Sequence, residues 1–280
     1  MNRTDGIYIN DLIQIQKKQW VSDNRASWKD GSPISTRKIT QVFNKVNLQE
    51  GFPILSLREI NWKAAIDEII WIYMKLSNDV NDLNSKIWDS WKDNQDKIHK
   101  AYGYQIAKPT MGYNSQIEYV LGELKTKPSS RRIMMNMFEA KEQLDKSKKS
   151  LIECAYATHF SVDDGKLDMT LIQRSGDMHT AAGFGGWNTV QYVFLQHAIA
   201  QEVGLEVGNF AHFVQDLHEY NKHEEVGNIL YERMTSDKFN PSQKVEIKIT
   251  KKPFFELTSD DVEIIGYSHL GKLKIPDVAI

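Results

Sequence analysis

The chain has 280 residues, of which 41% are hydrophobic and 26% charged, the balance of an ordinary soluble globular protein with length enough for one sizeable core. A formal net charge of -2 provides no basic field for wrapping nucleic acid, so any anion must be gripped locally and the expected ligand is small. The single cysteine, Cys154, excludes an intrachain disulfide framework and a thiolate metal cluster, and no run of about 18 apolar residues marks a membrane span.

Residues 7–20 carry apolar side chains at mixed helical spacing and predict an opening helix, with polar Ser22 to Arg25 as the loop behind it. The Gly, Ser, Pro and Thr content of 28–36 predicts a turn, a candidate anion contact or equally a solvated connection, ahead of a strand over 38–43. Residues 62–74 predict a strongly apolar helix with Glu68 inside it, either largely buried, where a carboxylate needs a partner or a raised pKa, or equally at a polar edge of the helix. Trp88 and Trp91 share one side of a predicted helical turn, as core or as the wall of a flat-ligand pocket.

An amphipathic helix is expected over 115–124. The pair Arg131-Arg132, read as extended, then opens an apolar run over 133–138, and a charged linker or helix follows over 139–150. Asp163-Asp164-Gly165-Lys166 predicts a tight hairpin joining strands 156–162 and 167–173, which puts Cys154 and Arg174 at neighbouring strand ends. The glycine cluster 183–186 leads into a long apolar helix, 187–203, with Asn188 at its start as a cap or a ligand contact. A strand over 207–214 enters Asp216-Leu217-His218-Glu219-Tyr220, a helix continues to Arg233, and 244–250 alternates as a strand. His218 and His223 lack an HExxH spacing, so no metal site is expected. The apolar last residues, ending at Ile280, are expected to dock on the body.

Taken together, Asn47-Leu48-Gln49-Glu50-Gly51-Phe52-Pro53, Asp67 to Trp71, Ile87 to Trp91, Tyr102-Gly103, Ser130 to Ile133, Gln173-Arg174-Ser175, Leu205 to Gly208, Asp216 with His218 and Tyr220, and Val278-Ala279-Ile280 stand in the order of the thymidylate synthase family. The chain resembles that family over nearly its whole length. The resemblance implies an α+β fold of one catalytic domain over 1–280, with a large mixed sheet packed with helices and a homodimer formed through that sheet. It also implies a cytoplasmic enzyme that transfers a one-carbon unit from 5,10-methylenetetrahydrofolate to C5 of a pyrimidine nucleoside monophosphate, without a metal, a membrane or a nucleic acid. Cys154 would add to ring C6 as nucleophile, while Glu68, Tyr102 and Asp177 complete the catalytic set. Arg174 and Ser175, with Arg131 and Arg132 from the second subunit, would hold the phosphate; Asn188 would read the base, and His218 and Tyr220 the sugar. Trp88, Trp91, Asp177 and Ile280 would face the folate.

Several positions depart from that pattern. Ala155 follows the nucleophile where synthases have histidine, and Glu153 replaces the proline before it. The loop Asp30-Gly31-Ser32-Pro33 lacks the family's arginine, with Arg37 a nearby substitute, and the segment between Asp177 and Asn188 is longer. Gln105-Ile106 follows Tyr102-Gly103 without the usual tryptophan. These changes lean toward hydroxymethylation of CMP or dCMP, or of UMP or dUMP, over thymidylate synthesis from dUMP. A silent nucleotide- or RNA-binding homologue is the non-enzymatic reading.

Overall fold

The computed structural model describes residues 3–143, 152–240 and 243–276. Its elements run α1 (Arg3–Gln16), β1 (Val21–Ser27), β2 (Pro33–Asn47), α2 (Trp62–Tyr73), α3 (Gly103–Ile106), α4 (Gln116–Thr126), β3 (Met134–Asn136), α5 (Ala140–Gln143), β4 (Ala155–Asp163), β5 (Lys166–Gln173) and β6 (Gly176–Asp177). They continue with α6 (Trp187–Val203), β7 (Glu206–Tyr220), α7 (Glu224–Met234), β8 (Glu246–Ile249) and β9 (Val262–Ile265). Among the described residues, no helix is long and apolar enough to cross a membrane.

Strand order in the main sheet is β1-β2-β7-β5-β4-β3, with β6 added beside β7. The sheet is mixed, as expected: β5 and β6 run parallel to β7, and the other pairs are antiparallel. Asp164 and Gly165 take positive φ of 48° and 74° in the hairpin between β4 and β5, the backbone that a two-residue turn demands and that the Asp-Gly pair tolerates. A single hydrophobic core reaches from Tyr8 on α1 to Val262 on β9. Helix α6 spreads its apolar residues around its axis because most of it is buried, polar Thr189, Gln191 and Gln196 included; Tyr192 on it meets Tyr73 of α2 edge to face at 6.0 Å.

Two boundaries differ from the sequence expectation. The opening helix starts at Arg3 and ends at Gln16, and the polar segment read as its trailing loop is strand β1, recruited by pairing with β2. Residues 38–43 are part of a 15-residue strand, which pairing from Thr36↔Tyr220 to Asn47↔Asn209, skipping Gln41 at φ 59°, holds extended through its polar ends. The site is fixed by this topology. β4 begins, and β5, β6 and β7 end, at one rim of the sheet, where Ala155 pairs with Gln173 and Asp177 with His218.

Candidate active site

Cys154 lies partly buried immediately before β4. Arg174, at the end of β5, donates from Nε to Glu153 O (3.0 Å) and from Nη2 to Ile152 O (2.6 Å) and Cys154 Sγ (3.4 Å), and its backbone N–H bonds Cys154 O. Burial pushes the thiol above its usual range; Arg174 pulls it back, and the neighbouring Glu153 carboxylate raises it further. Cys154 therefore rests as a thiol beside a guanidinium, not as a preformed thiolate.

Tyr102 is held at φ 46°, ψ -104°, a conformation that costs a non-glycine residue about 1–3 kcal/mol and persists only where the surroundings enforce it. Cys154 N–H donates to its hydroxyl oxygen (3.4 Å), and its own N–H donates to Glu153 Oε1 (3.3 Å). Gly103 then passes against Ser77, whose carbonyl oxygen lies 1.9 Å from where a Cβ would stand. Gly103→Ala is accordingly expected to lower stability by about 1–3 kcal/mol, read as a reduced midpoint in thermal unfolding, and to displace Tyr102.

Glu68 receives the indole N–H of Trp88 on Oε1 (3.1 Å) and that of Trp187 on Oε2 (2.6 Å). Burial raises its pKa to about 7 against the lowering by Trp187, Trp88 and Gln191. Trp88 is buried, 5.1 Å from the ring of Tyr102 and 5.6 Å from that of Trp91, in a turn and not a regular helix. Trp91, only partly buried, is the more accessible of the pair.

Asn188 lies in the first turn of α6 but does not cap it; Gly186 holds that position. Its Oδ1 accepts from Gln173 Nε2 (3.2 Å) and its Nδ2 donates to Gln191 Oε1 (3.0 Å). Gln173 Nε2 also donates to Ser175 O, and its Oε1 meets His212 Nε2 at 2.9 Å. Since Ser175 O only accepts, the Gln173 amide has one orientation, and that orientation fixes which way the Asn188 amide points.

Asp177 caps a five-residue π-helical turn, Met178–Ala182, accepting on Oδ1 from His179 N and Thr180 N. Its Oδ2 contacts His223 Nδ1 at 2.8 Å, and His223 Nε2 lies 3.0 Å from Pro276 O. Burial raises the Asp177 carboxyl, but the hydrogen bond and charge of His223 prevail and bring it down to about 2. His218 is set against Asp216 (3.2 Å), which Lys38 also engages, and Tyr220 stands 5.0 Å from the His218 ring.

The rim thus gathers Cys154, Tyr102, Arg174, Ser175, Asn188, Asp177, His218 and Tyr220, and Glu68 reaches the same group through Trp88, Tyr102 and Gln191. Ile280 lies outside the described residues. Arg131 and Arg132 do not join: they sit exposed in a turn, not in an extended segment as expected, because β3 begins only at Met134. Phe160, bonded to Ile133 O, is six positions from Cys154, about 20 Å along the strand. Arg37 is no stand-in for the loop arginine. Its Nε donates to Glu219 Oε2 (2.7 Å), its Nη1 pairs with Glu224 (3.2 Å), and it stacks on Trp20. The longer segment before Asn188 is equally committed. Residues 182–186 are buried; Gly183 packs on the Tyr8 ring and Gly185 on Thr4, and Gly185 O accepts from Leu55 N.

Sequence reasoning missed Trp187, Gln191, His179 and His223 as parts of this rim. Only the indole beside Asn188 at the head of an apolar helix signalled one of them. His179 joins Tyr8 OH to Glu219, at 2.8 Å on each side, a pairing between segments far apart in the chain.

The chain is similar to known proteins of one family. The family profile described as thymidylate synthase matches residues 7–279. Thymidylate synthase 1 of Bacillus subtilis (strain 168) is 36% identical over 273 residues, covering 95% of this chain and 94% of that protein. The thymidylate synthase of Bacillus phage phi3T is 34% identical over 273 residues, with the same two coverages, 95% and 94%. The solved structure of thermostable thymidylate synthase A from Bacillus subtilis superposes with a TM-score of 0.85 at 32% identity, covering 99% of both chains.

Proposed function

The chain belongs to the thymidylate synthase family, and from that premise we propose that it methylates C5 of dUMP with 5,10-methylenetetrahydrofolate, releasing dTMP and dihydrofolate. Cys154, deprotonated with Arg174 beside it, adds to C6 of the base and makes C5 nucleophilic; C5 takes the folate methylene. Loss of the C5 proton toward the Tyr102 hydroxyl, with Glu68 moving protons at the far side of the ring, cleaves the bond between the methylene and the folate nitrogen and leaves an exocyclic methylene; the freed tetrahydrofolate then delivers a hydride to it, becoming dihydrofolate, as Cys154 is expelled from C6. Arg174 and Ser175 hold the phosphate, His218 and Tyr220 the sugar, and Trp88, Trp91 and Asp177 the folate.

The observation that carries the base assignment is the fixed Asn188 amide. With Oδ1 turned to Gln173 and Nδ2 to Gln191, its remaining valences are one acceptor beside one donor. They complement N3–H and O4 of uracil; cytosine reverses both, and a turned Asn188 would face the Gln173 N–H with its own. Hydroxymethylation needs water at the methylene, and the longer glycine-rich segment, suspected on sequence of remodelling that spot, is packed against α1. The names of the relatives favour methyl transfer as well, and nothing in them supports the hydroxymethyl lean.

We further read the active form as a homodimer built through the sheet. Phe43 on β2 and Met134 on β3 leave apolar side chains exposed, and Arg131 and Arg132 are too far from their own Cys154 to serve it. Incubation with methylenetetrahydrofolate and each of dUMP, UMP, dCMP and CMP tests the assignment by product mass. The expected result is a gain of CH2 on dUMP with dihydrofolate formed. A gain of CH2O, or turnover of dCMP in preference to dUMP, overturns it.

A further inference from the structure

Glu153 is a fully buried carboxylate next to a nucleophile that its charge disfavours. Such a residue is costly to keep, and the reaction outlined above gives it no step. Its position has a different logic. Residues 153 and 154 grip Tyr102 at both ends: Glu153 Oε1 takes the Tyr102 backbone N–H, and the Cys154 backbone N–H donates to the Tyr102 hydroxyl. Between these two anchors the residue keeps positive φ, with its ring against Trp88 and Gly103 wedged on Ser77 behind it. Because the Cys154 N–H occupies a lone pair of the hydroxyl oxygen, the hydroxyl's own proton and its second lone pair are left for the site.

We propose that Glu153 is a positioning residue, whose side-chain oxygen locks the backbone of Tyr102 in its strained conformation and so aims the tyrosyl hydroxyl beside Cys154. The inference rests on the catalytic reading above for its consequence, but not for its geometry. Glu153 acts through an acceptor oxygen, so glutamine replaces it and alanine does not. The negative charge is the cost of the arrangement, felt by the thiol.

The test uses the full-length protein with Glu153→Gln and Glu153→Ala, and Glu153→Met as a second removal should the alanine variant not fold. Removing the acceptor is expected to speed hydrogen exchange at the Tyr102 amide about tenfold or more and to cut kcat by about tenfold, with KM for dUMP held within about threefold. Glu153→Gln is expected to keep both exchange and kcat within about threefold of the parent. Both kinds of variant should react faster with iodoacetamide at Cys154, since both lose the charge. Unchanged Tyr102 exchange on removal of the acceptor, or a glutamine variant as impaired as the alanine one, overturns the proposal. If the parent protein turns over no nucleotide, the catalytic reading fails, while amide exchange still decides the role of Glu153.

Discussion

Replacing Cys154 by serine is expected to reduce methyl transfer by roughly 10^4-fold or more, the scale on which loss of a covalent nucleophile acts when the rest of the site is intact. The Sγ atom makes a 3.4 Å contact with Arg174 and a 3.9 Å contact with Ile152 O, and neither holds the fold together. The backbone bonds Cys154 N to Tyr102 and Arg174 N to Cys154 O survive the change. Nucleotide binding should therefore stay within about threefold by calorimetry while single-turnover formation of dTMP disappears. A serine variant with parental turnover would remove covalent catalysis from the scheme. The raised thiol also gives the parent enzyme a pH dependence: alkylation of Cys154 should accelerate as the pH rises through a midpoint above that of a free cysteine, because the thiolate is the reactive form.

Glu68→Gln carries the second large effect, an expected loss of about 10^2–10^4-fold in kcat, the range for a positioned proton carrier. The carboxyl titrates near 7, so in the parent both protonation states are populated at neutral pH, and the limb of the pH–rate profile that it governs should vanish in the variant. Stability moves the other way. The folded-state pKa lies above the ordinary glutamate value of 4.5, so the parent is favoured below pH 4.5 and loses up to about 3 kcal/mol as the pH rises from there through 7. Glutamine is free of that loss, although its amide nitrogen gives one of the two indoles a donor where an acceptor stood. Chemical denaturation at pH 5 and pH 8 should show a smaller fall for the variant than for the parent. An equal fall would mean that Glu68 is not the group that titrates.

The residues that make the site were legible in the sequence where they belong to local patterns. The Asp-Gly hairpin placed Cys154 and Arg174 at neighbouring strand ends, as the structure has them, while the apolar frame around Glu68 left a buried carboxylate and a polar helix edge equally open, and the structure has it buried. What escaped detection depends on pairings between distant segments. Strand β1 has a polar sequence that only β2 makes extended, and Trp187 shows no purpose until α2 brings Glu68 against it, 119 positions away. Arg37 shows the same limit in reverse. Its proximity in sequence to the phosphate loop suggested a substitute, while Glu219 and Glu224, far along the chain, had already engaged it. The departures read as signs of new chemistry, Ala155 and the glycine-rich segment, are both buried parts of the packing.

His223 stands between two groups, Asp177 Oδ2 at 2.8 Å and the carbonyl of Pro276 at 3.0 Å. One buried ring thus answers to two segments nearly a hundred residues apart. Any ligand that draws on the charge of Asp177 changes how firmly His223 holds the chain at Pro276, and, by thermodynamic reciprocity, anything that loosens that chain segment weakens the ligand by the same free energy. For such a ligand, its affinity and the seating of the chain at Pro276 are two measures of one free energy.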